Sequence, residues 1–283
     1  MKQCIACGKD HFPVRDIKVY DPNTKRDYYI EFCICGLGKT RIDDTSVISE
    51  VNIEIYNSIE TRIKLYYNKL YNHLIIRHNQ SLRTIRMYTH AKRYLEVGSN
   101  IGFTAKLSKN FGYDVTACEI NNNCRWFSEN VYGLKTENNF YTLTGEWDIV
   151  TFFDVLEHFP EPEKALEKLN EILSLNGVVF VQLPNSSSKG AKREKEKWSY
   201  YAPPDHIYHF TPHSLITFFE RHDFECKWIR EVNTIDDFLT IRILPSLLRK
   251  KIVDLIYMNP FYYPGFYKRK SGSLIQSVFM KKK

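Results

Sequence analysis

The sequence predicts an α/β protein whose core is a parallel, doubly wound sheet, preceded by a small cysteine-bearing hairpin and a long helix. Short apolar runs at 94–97, 147–153 and 178–183 alternate with helical patterns, which is the chain order of strand, helix and strand units. The first run breaks into Gly98-Ser99-Asn100-Ile101-Gly102 and then into Phe103, Leu107 and Phe111 at helical spacing. That is a strand, a tight turn and a helix N-terminus, where a nucleotide-like ligand can lie against bare backbone. Four of the seven cysteines stand near the start, as Cys4-x-x-Cys7-Gly8 and Cys33-x-Cys35-Gly36.

With 283 residues, 43% of them apolar, the chain can bury one large core and a small second one. The boundaries fall at 1–45 for the cysteine segment, 46–90 for a helical linker and 91–283 for the sheet domain, with an insertion around 233–270 between its last two strands. No apolar run is long enough to span a bilayer and the first residues form no hydrophobic signal segment, so a cytoplasmic site is expected. The cysteines are then expected as thiols or metal ligands rather than disulfides. A formal charge of +7 favours a partner carrying phosphate or carboxylate.

The elements follow in order. A hairpin-like stretch (14–19, the turn Asp21-Pro22-Asn23, then 28–32) separates the two cysteine pairs. It can bring Cys4, Cys7, Cys33 and Cys35 into a tetrahedron on a structural zinc, since four thiolates leave no open position for substrate. The alternative is a hairpin with incidental cysteines, because the second pair is C-x-C. From 46 to 78, Val51, Ile55, Ile59, Ile63, Leu70 and Leu74 recur at helical spacing, and Tyr56, Tyr66, Tyr67 and Tyr71 on that helix either line a cleft or simply pack. Beyond the glycine turn and Glu119 come the strand 147–153 and a helix at 162–173 carrying Ala165, Leu166, Leu169 and Leu173 on one face. The turn Asn176-Gly177 leads into a strand at 178–183, then a polar loop at 186–197, a helix at 212–220 and strands at 224–231 and 274–280, the last two forming a hairpin.

The glycine turn is incomplete as a dinucleotide fingerprint: Asn100 occupies the place of the middle glycine and Phe103 that of the last. This argues against a pyrophosphate ligand such as NAD and suits one with an adenosine but no phosphates, whose two ribose hydroxyls Glu119 can receive. Asn100 either hydrogen-bonds that ligand or crowds it.

Taken together, Glu96-x-Gly98-x-x-x-Gly102, Glu119, Asp154-Val155-Leu156-Glu157-His158, Leu183-Pro184-Asn185 and His206-x-x-x-Phe210-Thr211-Pro212 resemble class I S-adenosylmethionine-dependent methyltransferases. The similarity is closest to the subgroup with an N-terminal zinc-ribbon-like cysteine segment, whose members often modify sugars in glycan or antibiotic pathways. It implies a Rossmann-like, seven-stranded, doubly wound sheet with an antiparallel last strand and S-adenosylmethionine as cofactor. It places Gly98, Ser99, Asn100 and Gly102 at the methionine moiety, Glu96 and Asp154 beside it, Glu119 at the ribose and the segment 138–140 at the adenine.

Methyl transfer is one in-line displacement, so the protein chiefly positions donor and acceptor and excludes water. If the acceptor must lose a proton, His206 is the first candidate base, with Asp205 to orient it; the alternative is a histidine capping the next helix. Glu157 and His158 serve acid/base work or acceptor positioning. A second reading is a divalent metal, with Asp154, Glu157 and His158 at i, i+3 and i+4 on one helical face and His206 completing the set, as in the related small-RNA and quinone-precursor O-methyltransferases. The third is that these acids merely favour a helix dipole. The lysines of 189–197 are either a cover for an anionic small-molecule acceptor or a solvated loop. Residues 244–258 either rest peripherally on an anionic membrane or pack in the closing hairpin. An RNA methyltransferase and a non-catalytic scaffold of the same fold are the rival readings; scattered charge and the lack of a stacking motif argue against nucleic acid.

Overall fold

The structure, a computed structural model, describes residues 3–10, 13–43, 63, 71–232 and 272–282. Most of the long helix expected over 46–78 within the 46–90 linker, the insertion at 233–270 and the 244–258 segment lie outside the described residues. The N-terminal hairpin is β1 (Arg15–Asp21) and β2 (Arg26–Phe32), followed by β3 (Gly38–Arg41). Its turn is built by Asp21, whose carboxylate accepts from the backbone N–H and the hydroxyl of Thr24 at 2.7 and 2.6 Å. The helix α1 spans Tyr71–Arg86.

The sheet domain then runs β4 (Arg93–Val97), α2 (Phe103–Asn110), β5 (Asp114–Cys118), α3 (Asn122–Tyr132), β6 (Lys135–Glu137), β7 (Trp147–Phe153), α4 (Pro162–Ile172) and β8 (Leu173–Pro184). It continues with α5 (Lys189–Glu194), β9 (Tyr208–His209), α6 (Pro212–Glu220), β10 (Phe224–Val232) and β11 (Leu274–Lys281). Seven strands form one sheet in the order β10-β11-β8-β7-β4-β5-β6. The pairs from β8 to β6 are parallel, while β11 runs antiparallel to both β8 and β10. This is the expected Rossmann-like sheet with an antiparallel last strand. Its centre is apolar on both faces, as parallel strands covered by helices must be; every residue from Gly177 to Pro184 is buried.

The helices start where their caps allow. Asn121 accepts from the backbone of Asn123 and Cys124 at the head of α3, and Thr211 and Ser214 form a reciprocal capping box on α6. Two details differ from expectation. The turn at Asn176-Gly177 is absent, because β8 begins at Leu173 as an irregular extension of the strand; a Cβ on Gly177 would stand 2.6 Å from Leu173 Cγ, so only glycine fits there. The polar loop at 186–197 contains α5, capped by Ser188. A second sheet, β1-β2-β3-β9, joins the N-terminal hairpin to the segment that follows β8. No described helix is long and apolar enough to cross a membrane.

Candidate active site and cysteine cluster

The carboxyl ends of β4, β5 and β7 meet at the glycine turn. Gly98 and Gly102 have φ of +67° and +80°, and a Cβ on either would stand 2.5 Å from Val155 Cγ2 or Ser128 Oγ respectively. Both positions therefore require glycine. Asn100 also lies in the left-handed region, at φ +53°, which it tolerates because its Oδ1 accepts from the Ile101 backbone N–H at 2.8 Å. Its side-chain oxygen is thus engaged within the turn. Its backbone N–H donates to Glu119 Oε2 at 2.7 Å, while Glu119 Oε1 accepts from Asn121 N–H at 2.8 Å. Glu119 clasps the turn and the cap of α3 together, and each of its oxygens retains a lone pair for a further donor.

Beside the turn, several buried polar atoms lack partners. Glu96 Oε2, Ser99 Oγ and Asp154 Oδ1 make no hydrogen bond. Burial, and then the charge of Glu119, holds the Glu96 carboxyl well above the usual range. Asp154, at φ +56°, is fixed through its other oxygen: Gln182 Nε2 donates to Oδ2 at 2.7 Å, Gln276 Nε2 donates to Gln182 Oε1 at 2.8 Å, and Arg230 donates to Gln276 Oε1 at 2.7 Å. A cationic ligand would satisfy these acids, since orphaned buried oxygens are costly.

The acid and histidine residues are arranged differently from the expectation. Leu156–His158 is a single 3-10 turn rather than the start of an α-helix, so Asp154, Glu157 and His158 do not share a helical face. Glu157, His158 and His206 are brought together, each offering a donor atom within 4.8 Å of the others, and Asp154 is not among them. Asp205 orients His158, not His206: His158 Nδ1 donates to the Asp205 carbonyl at 2.9 Å and stands 3.3 Å from its Oδ1. His206 Nδ1 instead donates to the Tyr200 carbonyl at 2.8 Å, which leaves the Nε2 lone pair free. Thr211, not His206, caps the following helix.

Burial and the charge of His158 push His206 down to about 4, so it is neutral. Burial raises the Glu157 carboxyl to about 8, and neither of its oxygens has a partner. For His158, burial alone would lower the value, but the carboxylate of Asp205 and then Glu157 outweigh it and raise it from 6.5 to about 9. His158 therefore contributes stability that is fully present below pH 6.5 and lost as pH rises through about 9. Thermal melts across that window should show the loss, and Asp205→Asn should flatten it; a parallel profile for the two proteins would exclude the pairing.

The four early cysteines also come together. Cys4 Sγ lies 3.7 Å from Cys35 Sγ, and Cys7 Sγ lies 3.7 Å from Cys33 Sγ. With a zinc–sulfur bond of about 2.3 Å, the edge of a tetrahedron is about 3.8 Å. All four are free thiols. The cluster docks on the sheet domain, with Arg221 donating to the Cys4 carbonyl at 3.4 Å. Further along, Thr40 in β3 is almost fully buried and holds three residues of the 206–209 segment. Its N–H donates to the Ile207 carbonyl at 2.9 Å, its hydroxyl donates to the His206 carbonyl at 2.8 Å, and the same hydroxyl lies 2.9 Å from His209 Nε2.

Comparison with known proteins decides what this arrangement belongs to. A family model described as a methyltransferase domain matches residues 74–227, more than half of the chain. The chain belongs to the methyltransferase domain family. It is an S-adenosylmethionine-dependent methyltransferase, and the glycine turn, β4 to β8 and α6 all fall within the matched region. Solved structures share the fold. A 1,6-didemethyltoxoflavin N1-methyltransferase of Burkholderia thailandensis is 12% identical with a TM-score of 0.57, covering 94% of this chain and 100% of that one. A SAM-dependent methyltransferase of Archaeoglobus fulgidus is 16% identical with a TM-score of 0.53, covering 80% and 100%. One of Thermotoga maritima is 14% identical with a TM-score of 0.54, covering 81% and 98%. None of the curated proteins matches the methyltransferase in sequence.

Four residues around the candidate site escaped the sequence reading. Thr40 and Gln182 act through contacts distant in sequence. His78 is fully buried with Nδ1 unpartnered, its ring 4.8 Å from that of Phe153 and 6.5 Å from that of Phe103. Arg77 beside it has a buried Nε without a partner. A polar Arg-His pair on the face of a helix that also carries Ile75 was the available signal.

Proposed function

We propose that the methyltransferase moves the methyl group of S-adenosylmethionine to an oxygen or carbon of a small acceptor, a nucleotide-linked or glycan sugar. The observation that carries the reading is a pair of neighbouring clusters: unpartnered acids around the glycine turn, and Glu157, His158 and His206, whose His158 acts on Asp154. In this assignment the backbone of Gly98 to Gly102 and Ser99 receives the methionine moiety. Glu96 and Asp154 take its ammonium, and Glu119 accepts from the ribose hydroxyls. When bound, the cofactor supplies an electrophilic methyl group; the protein's part is alignment and dryness.

Glu157, raised to about 8, holds its proton at neutral pH and is the stronger base once that proton leaves as pH rises through about 8, whereas His206 at about 4 is neutral but weakly basic. His206 serves as a neutral hydrogen-bond acceptor that holds the acceptor hydroxyl through Nε2. His158, fixed by Asp205, adds positive charge beside them. The small-acceptor reading is supported by the enclosure of this cluster, and by the Burkholderia thailandensis enzyme, which binds 1,6-didemethyltoxoflavin together with S-adenosylhomocysteine. Lys192 and Lys195 line a pocket together with Arg15 and Lys18 of the hairpin, a basic surface that suits an anionic acceptor. We assign a structural zinc to Cys4, Cys7, Cys33 and Cys35 on the tetrahedral spacing of the sulfurs.

The proximity of their donor atoms favours a second reading of Glu157, His158 and His206 as a divalent-metal site. Labelled cofactor offered with panels of nucleotide sugars, free sugars and RNA, with and without a chelator, tests both. Label on a sugar is expected; label on RNA alone would sink the acceptor assignment, and full activity in chelator would remove the divalent metal. His206→Ala should lower turnover strongly while sparing cofactor affinity, and activity close to the parent's would take His206 out of the mechanism.

A further inference from the structure

The acids around the glycine turn answer only half of the cofactor's amino-acid end. S-adenosylmethionine carries an ammonium, which Glu96 and Asp154 suit, and a carboxylate, which needs a cation. Arg125 is already engaged, its guanidinium donating to the carbonyls of Glu119 and Ile120 at 2.8 and 2.7 Å. On the side of the amino-acid end lies α1. The ring contacts of its His78 bridge Phe153, the last residue of β7 before Asp154, and Phe103, the first residue of α2 after Gly102. Ile75 of the same helix packs against the cluster of Ile101, Phe103, Cys124 and Phe127. The helix therefore packs against both the residue before Asp154 and the residue after the turn, and the charge of its Arg77 reaches Asp154.

We propose that Arg77 binds the carboxylate of the cofactor's methionine moiety, an assignment that rests on the cofactor site described above. Two observations point to a ligand there. Arg77 Nε and His78 Nδ1 are both buried without partners, and so is Asp154 Oδ1, on the acid that feels the charge of Arg77. Arg77 forms no ion pair among the described residues, and yet its charge acts on Asp154. A zwitterion completes this arrangement: its ammonium meets Asp154 and Glu96, and its carboxylate meets Arg77, so that the orphaned Arg77 Nε, Asp154 Oδ1 and Glu96 Oε2 each gain a hydrogen-bond partner. The pairing also predicts selectivity for the intact amino-acid end over an adenosine thioether that lacks it.

Titration calorimetry of the full chain with two ligands separates the alternatives. Arg77→Ala is expected to weaken S-adenosylhomocysteine by roughly ten- to a hundredfold, the usual loss of a hydrogen bond to a charged partner, and to leave 5′-methylthioadenosine unchanged. Arg77→Lys should recover part of the loss for S-adenosylhomocysteine. An Arg77→Ala protein that binds S-adenosylhomocysteine like the wild type overturns the assignment alone. Equal weakening of both ligands also overturns it, because it marks a structural role for the helix. Failure of the wild type to bind S-adenosylhomocysteine overturns the cofactor site and this assignment together.

Discussion

Glu119→Ala is expected to lower the affinity for S-adenosylhomocysteine by at least about a hundredfold, because it removes two sets of interactions at once. In the folded chain the carboxylate accepts from the N–H of Asn100 at 2.7 Å and of Asn121 at 2.8 Å, so it fixes the glycine turn whether or not a ligand is bound. Hydrogen bonds to a charged group are worth about 1.5–3 kcal/mol each, and the two N–H groups are left in a largely buried place when it goes. The turn can ill absorb the loss, since Asn100 already holds a left-handed φ of +53°. The remaining lone pairs are those assigned to the ribose hydroxyls, and these contacts vanish with it. Glu119→Gln separates the two contributions. It keeps the shape and one acceptor oxygen but turns the other position into a donor facing an N–H, so the affinity should fall between wild type and Ala. Calorimetry with S-adenosylhomocysteine reads both variants, with circular dichroism to confirm that each remains folded. Parental affinity in Glu119→Ala would remove the residue from the ribose site and with it the argument from the incomplete fingerprint.

The parts of this molecule that the sequence disclosed are those with a local physical cause. The run Val178-Val179-Phe180-Val181 can only be a strand covered on both faces, and the break at Gly98 and Gly102 follows from backbone angles that only glycine adopts freely. Asp154-Val155-Leu156-Glu157-His158 was ambiguous because its carboxyls and imidazole have helical spacing, while the feature that prevents the helix, the positive φ of Asp154, is sustained by Gln182 from a neighbouring strand. The partner of His158 was hidden for a similar reason. Asp205 adjoins His206 in sequence, but the backbone there turns its carboxylate toward His158, and the Tyr200 carbonyl takes its place at His206. A two-residue strand such as β9 has no periodicity to read, so the second sheet, which ties the hairpin to this loop, is a property of the tertiary structure alone.

That tie gives the second large prediction. Removing metal, by chelation or by Cys33→Ser, is expected to release one zinc per chain and to lower the melting temperature by on the order of 10 °C, given 2–4 °C per kcal/mol for a chain of this size class and the large folding contribution of structural zinc. The hairpin strands carry only a small core of their own, Val19, Ile30 and Phe32 against Ala191, Trp198 and Tyr201, while Ala6 and Leu37 beside the cysteines join the large core of the sheet domain. The consequence should reach the Glu157-His158-His206 cluster. Thr40 holds the backbone of His206 and Ile207 from the hairpin side, and Ile207 N–H in turn donates to the Glu157 carbonyl at 2.9 Å. Loss of the hairpin therefore frees both the loop and the acid, whereas the glycine turn, held by Glu119 and β5, stays in place. Hydrogen exchange should show faster exchange at Thr40, His206 and Ile207 after metal removal, with the amide of Asn100 still protected and cofactor affinity within a few-fold of the loaded protein. Purified protein without zinc that melts and exchanges like the loaded form would show that the four sulfurs need no metal and that the hairpin stands without it.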